Sequence, residues 1–454
     1  MEKIREKCGV FGIYGHSSDA AEKIVCGLTA LQHRGQESAG IAVCETSGAK
    51  GNITFHKGMG LVNEVFKDDS LKTLEGNIGV GHVRYSTTGA SNIANAQPVV
   101  FNYLKGTLAT VHNGNLINTE ELRSELFSDG AVFRSDTDTE VLATLIAKER
   151  AKCASIEEAV RLAAARIRGS YAIIVMSPRK LVAMRDPAGL KPLCIGKCED
   201  SWVIASEDCA LKAVGAEFVR DVVPGEILTF SEEGMRSDTS LCTGNHAHCI
   251  FEYIYFARLD SKIDNVDVYS ARFKVGQALA GAYPVQADIV TGVPDSGLAA
   301  ALGYSEQSGI PFKLAFHKNS YLGRTFIKPT GSERKHAVEL KLNVIESVVR
   351  GKRIVLIDDS IVRGTTIANL ISHLKNAGAL EVHVRISSPP FLYPCFYGTD
   401  VPDNSELIAK KLDTTEIRKR IGADSLFYAR LEDIERSVGN LPVCKACFDG
   451  HYPV

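Results

Sequence analysis

The sequence predicts a two-domain protein in which an α+β domain is followed by an α/β domain built on a parallel sheet. Three observations carry that expectation. Short strand-like runs alternate with turns from Gly9 to about residue 230, the chain then stays polar from Ser231 to His248, and from Ser270 helical and strand-like patterns alternate. At 454 residues the chain is long enough for two or three separate cores.

The second domain is organised around Arg353-Ile354-Val355-Leu356-Ile357-Asp358-Asp359. Four apolar residues between charges read as a strand buried on both faces of a parallel sheet. Ser360-Ile361-Val362-Arg363-Gly364-Thr365-Thr366 follows as a small-residue loop. Ile367, Leu370, Ile371 and Leu374 then recur at the spacing of one helix face, which Gly378 can close. The N–H groups of residues 360–366 would point at whatever sits over the helix N-terminus, where the dipole favours an anion. The two carboxylates would repel a phosphate; Mg²⁺ reconciles them with one, and a ribose diol is another partner they suit.

Composition narrows the field. A net charge of −2 gives no electrostatic basis for nucleic-acid or membrane binding. No apolar run approaches the roughly 20 residues that span a bilayer. Residues 1–7 are mostly charged and lack the apolar segment of a secretory signal, so the expected compartment is the cytoplasm. There, twelve cysteines are not expected to form structural disulfides. Cys26, Cys44, Cys153, Cys194 and Cys209 read as small core residues.

In the first domain, Cys8-Gly9-Val10-Phe11-Gly12-Ile13-Tyr14-Gly15 reads as a short strand, and Ile24, Leu28 and Leu31 as one face of a helix. His33-Arg34-Gly35-Gln36-Glu37-Ser38 comes next, and further helices are expected near 140–150 and 156–167. Removal of residues 1–7 as a propeptide would leave Cys8 with a free α-amine, which titrates near neutrality and can serve as the base for its own thiol. Three later motifs stand out: Gly81-His82-Val83-Arg84-Tyr85-Ser86-Thr87-Thr88-Gly89, His112-Asn113-Gly114-Asn115, and Ser135-Asp136-Thr137-Asp138. With Cys8 they resemble the class II glutamine amidotransferase domain, an N-terminal-nucleophile hydrolase of αββα architecture, over residues 8–235. The resemblance implies Cys8 as nucleophile, Asn113 and Gly114 as the oxyanion hole, Arg84 for the glutamine α-carboxylate and Asp138 for its α-ammonium.

The join is expected between 231 and 250, with His246 and His248 read as exposed linker side chains. The aromatic run from Phe251 to Phe256 opens a new core. A helix over 271–282 leads to a strand over 288–293 and the turn Pro294-Asp295-Ser296-Gly297, and a strand over 312–316 leads to a basic loop over 317–335. Long loops of this kind are lids or disordered. The acidic strand end and its loop resemble the phosphoribosyl-diphosphate (PRPP) signature of type I phosphoribosyltransferases. That resemblance spans residues 250–410. It implies that Asp358, Asp359, Ser360, Arg363, Gly364, Thr365 and Thr366 bind PRPP with Asp295 and Ser296, and that Ser296, Asp358 and Asp359 place Mg²⁺. The basic loop, with Lys341 after it, looks like the catalytic loop of glutamine PRPP amidotransferases, in which Arg324 and Lys341 would contact PRPP and Ile327 would line an ammonia path.

Residues 411–454 are expected as a helical tail. Cys444-Lys445-Ala446-Cys447 in it has metal-ligand spacing, though two thiolates do not complete a site. The family pattern picks out Cys249 and Cys395 as the other two, with Cys198 and Cys242 as spares. Zinc and a [4Fe–4S] cluster both remain open on spacing; the resemblance implies the cluster, in the iron–sulfur branch of the glutamine PRPP amidotransferase family. The same resemblance implies 5-phosphoribosylamine as product, purine nucleotides as feedback inhibitors and a homotetramer. Leu259 departs from the family, which often has proline there. A PRPP-binding regulator with a vestigial glutaminase domain is the alternative; a hexosamine synthase would not need the Asp358/Asp359 loop.

Overall fold

The computed structural model describes residues 8–46, 52–85, 91–319, 342–399, 401 and 405–454. Two antiparallel sheets pack face to face in the first domain. One runs in the order Glu217–Asp221, Cys194–Cys198, Ser201–Ala205, Gly9–Tyr14, Ile78–Arg84, Ser38–Cys44, Thr54–Met59. The other runs Gly234–Asp238, Ile227–Ser231, Leu181–Arg185, Gly169–Met176, Gly106–Leu116, Val99–Tyr103.

Strand periodicity sorts their side chains. Val10, Ala42 and Val80 meet Ala109, Val111 and Ile174 between the sheets. Phe11 and Ile13 turn outward to Ile24 and Leu28 of helix Ala20–Ala30. Helices Asp138–Lys152 and Ile156–Ala164 cover the outer face of the second sheet through Leu142, Ile146 and Val160. The layering is the expected αββα.

In the second domain Ile289–Gly292, Arg353–Asp358, Glu381–Ile386 and Ser425–Tyr428 form one parallel sheet in that order. The four central apolar residues are fully buried and alternate between faces. Ile354 and Leu356 pack under helices Thr365–Asn376 and Thr414–Ile421. Val355 and Ile357 pack under Val268–Ala282 and Leu298–Ser308, in a core shared with Ile250–Phe256 and Phe448.

Several expectations are corrected. The first domain's second sheet continues to Asp238, because the polar stretch after Ser231 is a hairpin whose outer strand lies at the edge; polarity there is what a sheet edge shows. The tail is not wholly helical: Ser425–Tyr428 is the fourth parallel strand, too short to stand out as one in the sequence. The strand expected over 312–316 reduces to a bridge from Phe312 to Val290, and Phe316–Lys318 pairs with Leu342–Val344 instead. Cys44, Cys194 and Cys209 are buried, but Cys26 is exposed, on the side of its helix away from Ile24 and Leu28. His248 is buried, with its Nδ1 2.8 Å from Asp264. Among the described residues no helix is long and apolar enough to cross a membrane.

Candidate functional sites

Cys8 enters the central strand of the first sheet with its Sγ 3.5 Å from the Tyr85 carbonyl. Its own carbonyl accepts the Arg34 Nε–H at 3.2 Å. Gly35 makes this possible: a Cβ there would lie 2.6 Å from the Val83 carbonyl carbon and 2.7 Å from the Arg84 main chain. Burial pushes the Cys8 thiol above its usual range; Arg84 and Lys191 pull it down and Asp138 adds to the rise. The thiol therefore needs a base to ionise.

Those same groups surround it. Arg84 is buried and donates to Glu37 at 2.6 Å. Thr137 caps helix Asp138–Lys152, so Asp138 is its first residue rather than its cap. The Asp138 Oδ2 accepts the Leu116 N–H at 3.1 Å, and its Oδ1 lies 3.6 Å from the His112 Nδ1. Burial opposes ionisation of Asp138, but His112 and the hydrogen bonds hold its carboxyl below the usual range. Between His112 and Leu116, the Asn113 Nδ2 is fully buried with no acceptor among the described residues. A buried donor left open in this way is rare in folded proteins. Residues 86–89 of the Gly81 motif lie outside the described residues.

The sequence did not assign Arg34 a role. Its guanidinium is fully buried, pairs with Glu207, and reaches Glu252 of the second domain at 2.8 Å. The His33-Arg34-Gly35 run was the available signal; the partners, roughly two hundred residues away, were not visible.

The second site lies at the carboxyl ends of adjacent parallel strands, where open α/β sheets bind ligands. The Ser296 hydroxyl donates to Asp359 Oδ1 at 2.5 Å, and Asp358 Oδ1 accepts the Asp359 N–H at 3.0 Å. Both carboxylates are buried. Gly364, at φ 81°, precedes helix Thr365–Asn376, and Ser360 lies against Asp359. Asp295 pairs with Lys318, and the Arg363 Nε donates to Glu406 at 2.9 Å. Arg324, Ile327 and Lys341 lie outside the described residues.

Cys249, Cys395, Cys444 and Cys447 line one small cavity with Phe251 and Tyr397. Main-chain pairing brings them there: His248–Cys249 runs parallel to Val443–Cys444, and the Cys447 carbonyl accepts from Leu392 and Tyr393 at 3.0 and 3.1 Å. Burial pushes the Cys447 thiol well up, and the other three thiols add to the rise. Cys198 and Cys242 are not part of this lining. Among the described residues no three or more His, Cys, Asp or Glu side chains are gathered as a metal ion requires.

Comparison with known proteins agrees with both halves. A glutamine amidotransferase domain model matches residues 82–213 and a phosphoribosyl transferase domain model residues 272–387. The amidophosphoribosyltransferase of Methanocaldococcus jannaschii is 47% identical, over 98% of this chain and 97% of its own. That of Bacillus subtilis is 46% identical over 100% and 95%. The solved structure of the B. subtilis glutamine PRPP amidotransferase, complexed with ADP and GMP, superposes with a TM-score of 0.91 at 45% identity, covering 98% of this chain and 97% of that one. The chain belongs to the amidophosphoribosyltransferase family.

Proposed function

We propose that the two sites divide the family's reaction, with glutamine opened at Cys8 and its nitrogen used at the Asp358/Asp359 loop. The observation that carries this is the buried, open Asn113 Nδ2 beside Gly114, together with Arg84 and Asp138 acting on the Cys8 thiol. Once residues 1–7 are removed, the Cys8 α-amine takes the thiol proton and Sγ attacks the glutamine side-chain amide. Asn113 and the Gly114 N–H receive the oxyanion. Arg84 holds the α-carboxylate as a fork, and Asp138 the α-ammonium. Ammonia leaves, and water releases glutamate from the thioester.

Ammonia in water is mostly protonated and diluted, so an enclosed path preserves its nucleophilicity and local concentration. It attacks C1 of Mg-PRPP, the C1–O bond to pyrophosphate breaks, and 5-phosphoribosylamine forms. Ser296, Asp358 and Asp359 would hold the magnesium of this substrate, which would offset charge on the leaving group. The N–H groups of residues 360–366 face the phosphate. Arg324 in the basic loop and Lys341 after it add positive charge. The B. subtilis relative was solved with ADP and GMP; purine nucleotides are accordingly proposed as regulators here.

The four thiols that line one cavity are the donor set a [4Fe–4S] cluster takes, with zinc as the alternative. When bound, the cluster would supply thiolate bonds that fasten the join, the second domain and the tail together.

The test is PRPP-dependent glutamate and pyrophosphate release, measured without oxygen, for wild type and Cys8→Ala. The variant should lose glutamine-supported synthesis and keep synthesis from ammonium. Retention of glutamine-supported turnover would overturn the assignment of Cys8.

A further inference from the structure

The strand that carries Asn113 and Gly114 is held from outside its own domain. Asn115 Nδ2 donates to the Phe396 carbonyl at 2.9 Å. Directly across the ladder from Asn115 lies Ser170, whose hydroxyl donates to the Tyr397 carbonyl at 2.9 Å and accepts the Asn115 N–H at 3.3 Å. Two consecutive carbonyls of a second-domain turn thus satisfy two side chains next to Gly114. The turn also lies close against the strand: a Cβ on Gly398, which sits at φ 84°, would lie 3.2 Å from the Gly114 carbonyl oxygen and 3.3 Å from the Asn115 Cβ.

The far side of the turn is fixed as well. The Tyr397 hydroxyl donates to the Val454 carbonyl at 2.6 Å and accepts the Val454 N–H at 3.0 Å, while the Tyr452 hydroxyl donates to the Pro394 carbonyl at 2.7 Å. A brace of this kind matters at Gly114 more than elsewhere. An oxyanion donor works only where its N–H is aimed before charge develops, and glycine alone does little to hold a peptide plane in one orientation.

We propose that the Phe396–Gly398 turn aims the Gly114 N–H, and that Asn115 and Ser170 are positioning residues for glutamine hydrolysis. The proposal rests on the reading of Asn113 and Gly114 as the oxyanion hole. It differs from a plain interdomain contact in what it affects. A structural contact supports both half-reactions, whereas a brace on Gly114 supports only the step in which the oxyanion forms.

The experiment uses the full chain with Ser170→Ala, Asn115→Ala and Ser170→Thr, assayed with glutamine and with ammonium as nitrogen source in the same preparation. The ratio of the two rates is independent of the folded fraction. Ser170→Ala and Asn115→Ala should each lower glutamine kcat by about tenfold or more, with KM for glutamine within about twofold and the ammonium-supported rate unchanged. Ser170→Thr should restore most of the loss. An unchanged ratio, a KM that rises in step with the loss, or equal loss with both nitrogen sources would overturn the proposal. Asn113→Ala separates the two readings: if it leaves glutamine kcat intact, the oxyanion assignment itself fails, whatever Ser170 does.

Discussion

Arg34 and Cys8 are joined through the main chain, with the guanidinium Nε–H on the Cys8 carbonyl at 3.2 Å, and the same guanidinium reaches Glu252 of the second domain at 2.8 Å. Glu207 completes the group, also receiving the Ser261 hydroxyl at 2.6 Å and lying 2.8 Å from His33. One buried cation therefore faces two buried carboxylates. Arg34→Met takes its charge from both acids, leaving His33 beside Glu207, and should cost about 3–5 kcal/mol. Glu252→Gln leaves the Arg34–Glu207 pair intact and should cost clearly less. Denaturant unfolding of the two variants tests the ordering; equal losses would count against it.

The same cluster sets a pH dependence. Burial works against ionisation of Glu207, but His33 and Arg34 outweigh it and hold its carboxyl far below the usual range. A folded-state value below the unfolded one contributes stability that is full above about pH 4.3 and is lost as pH falls toward the folded value. Asp221 acts in the opposite sense. Burial first, then repulsion from Asp264, raises it to about 7. The folded state then holds a proton that the unfolded state releases, so this group lowers stability as pH rises from about 4 to 7. Asp221→Asn should therefore gain stability over wild type at pH 8 and little at pH 4, by up to a few kcal/mol at about 1.4 kcal/mol per pKa unit. Unfolding curves at the two pH values decide it.

Much of this was legible from local pattern. Ile354 to Ile357 announced a doubly covered strand, and the loops after it and after Gly292 are where the buried carboxylates and Ser296 meet. Of the thiols that share a cavity, spacing singled out Cys444 and Cys447, and the family resemblance Cys249 and Cys395. What was not legible is pairing across long stretches of chain. Arg34 with Glu252, Ser170 with Tyr397 and His248 with Asp264 carry no periodicity, because each depends on how separate elements dock. The edge strand Gly234–Asp238 was read as linker for a related reason: an exposed strand and a polar loop share one composition.

At the second site, Asp359 accepts the Ser296 hydroxyl at 2.5 Å. Asp359→Asn keeps an oxygen for that hydrogen bond but loses the charge that magnesium requires. It should abolish synthesis from glutamine and from ammonium alike, by about a hundredfold or more if the metal supplies several kcal/mol to the transition state. Ser296→Ala should raise the magnesium concentration needed for half-maximal rate and leave folding unchanged. A Ser296→Ala variant with an unaltered magnesium titration would remove that residue from the metal's surroundings.

The four cysteines give the last prediction. Cys447 is half-buried, with its thiol pushed well up by burial and by Cys395, Cys249 and Cys444, so its thiolate forms when positive charge enters the cavity. Protein purified without oxygen should contain iron and inorganic sulfide in equal amounts, about four of each per chain. Cys447→Ser should remove most of both and lower the unfolding midpoint by more than about 5 °C, because Cys249, Cys395 and Cys444 would lose the common centre that ties the join, the second domain and the tail. Cys198→Ser and Cys242→Ser should retain full iron: the Cys198 thiol lies 3.5 Å from the Val214 carbonyl and Cys242 beside Gly225, both apart from the cavity. Elemental analysis also distinguishes the metals. One zinc per chain with no sulfide would mean that the thiols draw in around a single ion, and the assignment of a cluster would give way to a zinc centre.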